Sequence, residues 1–378
     1  MNSVLSSLTW GTWDEDEWAL VTTAALKAEA DDSAGCVPPF KVQQSRRKLR
    51  KKGLRAPRNS QLWFKELLER VESTSIGREK SIYHCNPLKC FHAAEGSQSE
   101  TVKCISWADL PDGLHPRSGK LPAQRARNKQ QQVDNLVVFL QHILRPGDVV
   151  VEFCAGSGYV ALPLAYLYPQ CTFVLLDMKE PSLAIAKDRI VAAKLTNVET
   201  FCGLIAEYHK PFDVGIALHA CGEATDLVME KCITERAAYV LAPCCVGKVK
   251  SSNLAYPRSA TLAAELSRIE YEVLAKAADF GHSSSSAIAQ TDTNRRRRRC
   301  KTLLESDRNV CAEEAQYNTF MFVMHPPTAT PKNDVLVGVP HAFSIENQTA
   351  EVANRPFKLP CEDMLSTDSL VRQAMLST

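Results

Sequence analysis

Glu152 stands four residues ahead of Gly156 in the stretch VVVEFCAGSGYVALPLA, residues 149–165, and Gly158 follows directly behind. A second carboxylate, Asp177, closes the apolar run CTFVLLD, 19 residues after Gly158. A strand, a glycine turn and a helix in that order present backbone N–H groups and strand ends to a nucleotide-like ligand. Two ligands fit. GSGYVA satisfies the dinucleotide pattern G-x-G-x-x-[GA], with an acid near the expected ribose position. The same residues suit S-adenosylmethionine, and three features favour it. Glu152 inside the first strand suits a ligand with an ammonium and a sulfonium group, and opposes a pyrophosphate. The end of the domain reads as an antiparallel hairpin, foreign to the common dinucleotide order. Only one nucleotide-binding half is evident.

On that reading each residue has a role. Gly156 and Gly158 let the backbone approach the cofactor without a Cβ in the way, and Cys154 and Ala155 complete the turn. Glu152 holds the amino end of the methionine moiety. Asp177 accepts hydrogen bonds from both ribose hydroxyls, Met178 packs on the adenine, and Gly203 and Leu204 border it from the end of the third strand. All of these lie at carboxyl ends of strands, where open α/β sheets bind ligands. Cys154 departs from the usual pattern, in which a glycine often stands at its position.

The fourth strand runs into His219-Ala220-Cys221-Gly222 and the fifth into Cys244-Cys245. Methyl transfer needs an aligned nucleophile and, for oxygen or nitrogen, a route for a proton. His219 is a candidate general base, or else a strand-end histidine that shapes the site. Cys221 and Cys244 are candidates for the thiolate that adds to a pyrimidine in carbon-5 methylation, or else are small polarizable packing residues or an oxidisable pair. The segment lacks the Asn-Pro-Pro-Tyr arrangement of many amino-group methyltransferases. Asp226, on the next helix, either orients His219 or caps that helix. Lys129, Gln130 and Gln131 either close over the methionine end or sit on a surface helix face. In YHCNPLKCFH, residues 83–92, His84, Cys85, Cys90 and His92 match no trusted zinc spacing, and no metal is expected.

The elements that must position these residues follow from periodicity. Residues 128–144 have helical spacing and stop at Pro146-Gly147. DVVVEF reads as a buried parallel strand. Strands then alternate with helices through residue 245, which implies a mostly parallel sheet covered on both faces. Residues 319–325 and 334–340 are two strands joined by PPTATPKN, too short for a crossover helix, so they pair antiparallel. The expected fold is a Rossmann-like α/β methyltransferase sheet, mostly parallel with a C-terminal antiparallel hairpin. Residues 1–120 read as an irregular, partly disordered extension, with one amphipathic helix whose face is Leu62, Phe64, Leu67, Leu68 and Val71. Residues 121–342 form the methyltransferase domain, and 343–378 read as a mobile tail.

Composition bounds the partners. The chain has 378 residues, 45% hydrophobic, with a net charge of +2, so global charge points to none. Charge is clustered instead. Arg46, Arg47, Lys48, Arg50, Lys51, Lys52 and Arg55 form one basic run, and Arg295, Arg296, Arg297, Arg298 and Arg299 a second, placed before a helix. Both are candidates for phosphate contacts with RNA, for nuclear targeting, or for solvated surface. With no secretory signal and no long apolar run, a soluble protein off the membrane and in the cytoplasm is expected, the basic runs also fitting the nucleus. The 14 cysteines include no CxxC pair and are expected to be reduced.

The segments NKQQQVDNLVVFLQHILRPGDVVVEFCAGSGYVALPLA, ALHACGEATDLVMEKCI, APCCVGK, YPRSA, RRRCKTLLESDR and TPKNDVLVGVP, in this order, resemble the methyltransferase domain of the glutathione S-transferase C-terminal domain-containing proteins. That domain is related to a wider family that includes tRNA methyltransferases. The resemblance runs over residues 121–340 and implies S-adenosylmethionine as cofactor. The glutathione-transferase-like part of those proteins is not recognisable in residues 1–120. The leading expectation is a methyltransferase acting on RNA, tRNA first. The alternatives are a catalytically silent RNA- or protein-binding module that keeps the fold, and an NAD(P)-dependent oxidoreductase.

Overall fold

A computed structural model of the chain describes residues 60–89, 105–246, 249, 252–278 and 291–341. The basic run from Arg46 to Arg55, Cys90, His92 and residues 343–378 lie outside the described residues. The chain forms two compact units. Among the described residues, one takes in 82–89, 105–245 and 308–341; the other takes in 60–81, 246, 249, 252–278 and 291–307.

The first unit is built on one sheet of seven strands. These are β1 (Val149–Phe153), β2 (Thr172–Asp177), β3 (Val198–Cys202), β4 (Val214–Leu218), β5 (Ala238–Ala242), β6 (Tyr317–Val323) and β7 (Asp334–Pro340). Their order is β3-β2-β1-β4-β5-β7-β6. β1 to β5 pair in parallel with their neighbours, while β7 runs antiparallel to both β5 and β6. The expected hairpin is therefore present, and its second strand inserts next to β5. A dinucleotide sheet commonly has order 3-2-1-4-5-6 and is mostly parallel. The inserted β7 separates this sheet from that plan.

Helix α1 (Ser60–Ser73) belongs to the second unit, and α2 (Ala123–Leu140), α3 (Ala161–Leu167), α4 (Glu180–Ala192) and α5 (Ala224–Glu235) belong to the first. The sheet is covered on both faces because its strands are apolar at successive positions. Val150, Phe173, Val214 and Val240 join Val133, Leu136 and Leu140 of α2, Leu162 of α3 and Leu183 of α4 in one buried cluster. Val151, Val174, Ala217 and Leu241, whose side chains point to the opposite face of the same strands, join Val228, Met229 and Cys232 of α5 in another. Each fully buried Val, Leu or Phe contributes about 1.5–3 kcal/mol relative to exposure, so these two layers fix which way every strand end points.

In the second unit α1 buries Phe64, Leu67, Leu68 and Val71. Leu62, expected on the same face, is exposed instead. Helix α6 (Arg268–Ala277) starts at a capping box in which Ser267 and Glu270 satisfy each other's backbone N–H groups. The Arg268 guanidinium donates to the carbonyls of Val249, Ser252 and Leu254. The long helix α7 (Asp292–Glu314) contains the five arginines within it rather than ahead of it, which corrects the expected placement. Arg296 is buried, Arg299 pairs with Glu72 of α1, and Arg295 pairs with Asp292 one turn earlier. Arginine is a good helix former. A run without apolar residues hides the helix from a periodicity search, and this one begins seven residues before Arg299.

Candidate active site

The turn after β1 is held from two sides. Glu152 is only 3% exposed, and its carboxylate accepts the N–H of Ala161 at 2.8 Å and that of Val160 at 3.4 Å, both at the start of α3. Asp177 accepts the Gly156 N–H through Oδ2 at 2.8 Å and the Lys179 N–H through Oδ1 at 2.8 Å. Ala155 donates to the Leu176 carbonyl at 3.0 Å. The ends of β1 and β2 are thereby tied into one rim. Cys154 sits at φ +55°, a left-handed backbone that costs a side-chain-bearing residue about 1–2 kcal/mol. That conformation is the reason glycine so often occupies this position.

The two glycines differ. Gly156 has φ +56° and nothing within 4 Å of where a Cβ would point, so its backbone borders open space. Gly158 has φ +73°, but its Cβ position lies 2.4 Å from Leu175 Cδ2. Only Gly156 has the open approach that a ligand requires. Gly158 serves close packing of the turn on the sheet, which departs from the role expected of it. Beyond the rim, Met178 is 67% exposed and Leu204 51%, two large apolar side chains at the ends of β2 and β3. Gly203 donates to the Asp177 carbonyl at 3.1 Å and keeps the second of these loops against the first.

Charge is gathered beneath the turn. Burial pushes the Glu152 carboxyl up to about 7, against the pull of the Ala161 and Val160 N–H groups and the charges of Arg189 and Lys129. Burial likewise pushes the Lys129 ammonium down to about 8, against the attraction of Glu152. Lys129 lies over the Tyr159 ring, 5.5 Å from its centroid. Arg189 is 2% exposed and donates to the carbonyls of Gly113, Leu114 and Ser157. Residues 113 and 114, which the sequence places in the irregular extension, are thus fastened to α4 and to the glycine turn.

At the other side of β1, His219 follows β4 with φ +69°. Its Nε2 lies 2.8 Å from Gln132 Oε1. Gln132 Nε2 in turn donates to the Ala329 carbonyl at 2.8 Å, so its oxygen faces the histidine. The Nε2 proton therefore donates to Gln132, and Nδ1 carries the lone pair. Burial, reinforced by the Lys129 charge, pushes the imidazole down to about 4. The Gln132 contact holds the imidazole in one orientation at the end of β4. Cys221 Sγ lies 2.7 Å from Cys244 Sγ, and Gly222 N–H donates to Cys245 Sγ at 3.3 Å. The Cys244 thiol beside it, together with the Gly222 N–H and the Lys332 charge, holds Cys245 down to about 5, while Cys244 is driven up by its bonds to Cys245 and Cys221 and by burial.

Asp226 does neither of the things its position suggests. It is buried and takes the Arg308 guanidinium in a two-point pair, Nε to Oδ1 at 2.8 Å and Nη2 to Oδ2 at 2.9 Å. His84 lies beside the Met321 backbone, and it forms no metal-ligand group with Cys85 among the described residues. Sequence reasoning passed over Gln132 and Arg189. Both lie on the apolar stripes of their helices, Gln132 beside Val133 and Leu136, Arg189 in step with Leu183 and Ala186. A polar residue in register with a buried stripe was the available signal.

A mostly parallel sheet with an antiparallel strand inserted beside β5, a glycine turn after β1 and an acid ending β2 defines a Rossmann-like methyltransferase fold. Residues 128–252 match the methyltransferase domain family, and the chain accordingly carries a methyltransferase domain. It is 36% identical over 239 residues to the glutathione S-transferase C-terminal domain-containing protein of Xenopus laevis, covering 62% of this chain and 38% of that protein. The human counterpart is 37% identical over 239 residues, 62% of this chain and 37% of that protein. The chain thus spans little more than a third of the length of these relatives. A shorter match, 31% identical over 75 residues, joins 20% of this chain to 32% of the ribosomal RNA small subunit methyltransferase G of Chlorobium chlorochromatii.

Proposed function

We propose that the sheet unit transfers a methyl group from S-adenosylmethionine to RNA. The observation that carries the donor half is the rim at Gly156 and Asp177. Open space borders Gly156, and each Asp177 oxygen accepts one backbone N–H, which leaves lone pairs for a pair of ribose hydroxyls. Met178 and Leu204 offer apolar contact to an adenine. Glu152 shapes the turn through α3, below the methionine end. When bound, the cofactor supplies an electrophilic methyl group at the rim. His219, its Nε2 fixed by Gln132, orders the acceptor side of β1.

RNA as acceptor is supported by the Chlorobium relative, whose name places it on ribosomal RNA. Calorimetry with S-adenosylhomocysteine tests the donor half. Binding is expected, weakened about 10- to 100-fold in Asp177→Ala, the worth of hydrogen bonds to a charged group. Absence of binding to the unaltered chain removes the reading. Incubation with methyl-labelled cofactor and fractionated cell extract tests the acceptor half. Label in the RNA fraction is expected, and label confined to protein or small molecules replaces RNA as the substrate class.

A further inference from the structure

Three thiols meet where β4 and β5 end. The strands pair in parallel with Leu218 opposite Ala242. Cys221 lies three residues past Leu218, and Cys244 and Cys245 lie two and three past Ala242, so the register itself brings the thiols to one level. Their Sγ atoms all lie within 4.8 Å of one another. The loop after β4 curls through left-handed backbone at His219 and Gly222, which turns the Gly222 N–H onto Cys245 Sγ. No other group of His, Cys, Asp or Glu side chains among the described residues converges in this way.

We infer that Cys221, Cys244 and Cys245 bind a single zinc ion at the acceptor side of the sheet. A tetrahedral zinc with Zn–S bonds of about 2.3 Å spaces its sulfurs about 3.8 Å apart, a span bracketed by the 2.7 Å between Cys221 and Cys244 and the 4.8 Å within which all three thiols lie. Three soft sulfur donors select zinc over magnesium or calcium, which take oxygen ligands. Three thiolates on Zn²⁺ leave one net negative charge. The Gly222 N–H, which donates to Cys245 Sγ, faces it favourably. Cys221 is exposed, so the fourth coordination position opens to solvent, as in zinc sites that exchange a ligand. A disulfide between Cys221 and Cys244 would use two of the sulfurs and leave Cys245 with its N–H donor unexplained. The zinc site uses all three. It also withdraws Cys221 and Cys244 from the nucleophilic role open to them on sequence grounds, because a metal-bound thiolate is not free to add to a pyrimidine.

The test uses the full chain purified in reducing buffer without chelator, then dialysed against zinc and against zinc-free buffer. Elemental analysis should find about one zinc per chain. Cys221→Ser, Cys244→Ser and Cys245→Ser should each lose it, while Cys202→Ser, at the end of β3, should keep it. Far-UV circular dichroism checks that each variant is folded. In the unaltered chain, adding a chelator should expose three more thiols to a colorimetric reagent, and cobalt should give thiolate-to-metal charge-transfer absorption. The inference does not depend on cofactor binding. Failure to take up zinc or cobalt under reducing conditions overturns it, as does mass-spectrometric detection of a Cys221–Cys244 disulfide in place of bound metal.

Discussion

A methyl group placed on Gly158 would lie 2.4 Å from Leu175 Cδ2 and 2.9 Å from Leu162 Cγ, both in the buried layer over the sheet. A methyl group on Gly156 would meet nothing. Both positions have left-handed backbone, so alanine costs about 1–2 kcal/mol at either. At Gly158 overpacking adds about 1–3 kcal/mol. Gly158→Ala should therefore destabilise the sheet unit by about 2–5 kcal/mol in urea unfolding, and Gly156→Ala by about 1–2 kcal/mol. The order should reverse in cofactor binding among folded protein, because only Gly156 borders the open rim. Equal unfolding costs at the two positions would contradict the packing role of Gly158. The sequence made the glycine pair visible but not this division of labour, which depends on where Leu162 and Leu175 stand.

At the level of elements, the strands and their order were legible because β1, β2, β4 and β5 are continuous apolar runs and the β6–β7 connection is too short to cross over. Boundaries were less so. Helix α2 begins at Ala123 behind Pro122, five residues before its apolar stripe becomes regular. β6 starts at Tyr317, whose hydroxyl donates to the Cys232 and Ala237 carbonyls and so belongs to the sheet's buried layer. Long-range polar pairs were not legible at all. Asp226 on α5 and Arg308 near the end of α7 are 82 residues apart, and each is 1% exposed. Local spacing carries no trace of such a pair. Removing one partner strands a buried charge, so Asp226→Ala should cost about 3–5 kcal/mol. The double variant Asp226→Leu with Arg308→Met should recover most of that loss, because apolar residues of similar volume replace a buried ion pair at little cost. Urea midpoints of the single and double variants decide it. A double variant no more stable than the single would show that the pair is needed for more than its mutual neutralisation.

On the scale of the whole molecule, the two compact units make a single melting temperature a poor measure of ligand binding. The donor rim, from Glu152 through Asp177 to Leu204, lies entirely in the unit that holds the sheet. Trp107 lies in that unit too, its Nε1–H donating to Asp134 of α2 at 3.0 Å. Of the chain's five tryptophans, Trp63 is in α1 of the other unit, and Trp10, Trp13 and Trp18 are near the N-terminus. Changing those four to phenylalanine leaves Trp107 as the sole reporter. A ligand that binds only the native state at 100 times its dissociation constant stabilises by about 2.7 kcal/mol. For a unit of this size that corresponds to about 5–10 °C. S-adenosylhomocysteine at that excess should raise the Trp107 fluorescence midpoint by that amount, and it should fail to do so when Asp177→Ala is added. The same ligand should leave a Trp63-only variant's transition where it was if the second unit melts independently, and should carry it upward by the same amount if the units unfold together. Either result leaves the Trp107 shift as the decisive quantity. Its absence at saturating ligand would mean that the Gly156 and Asp177 rim does not hold the cofactor.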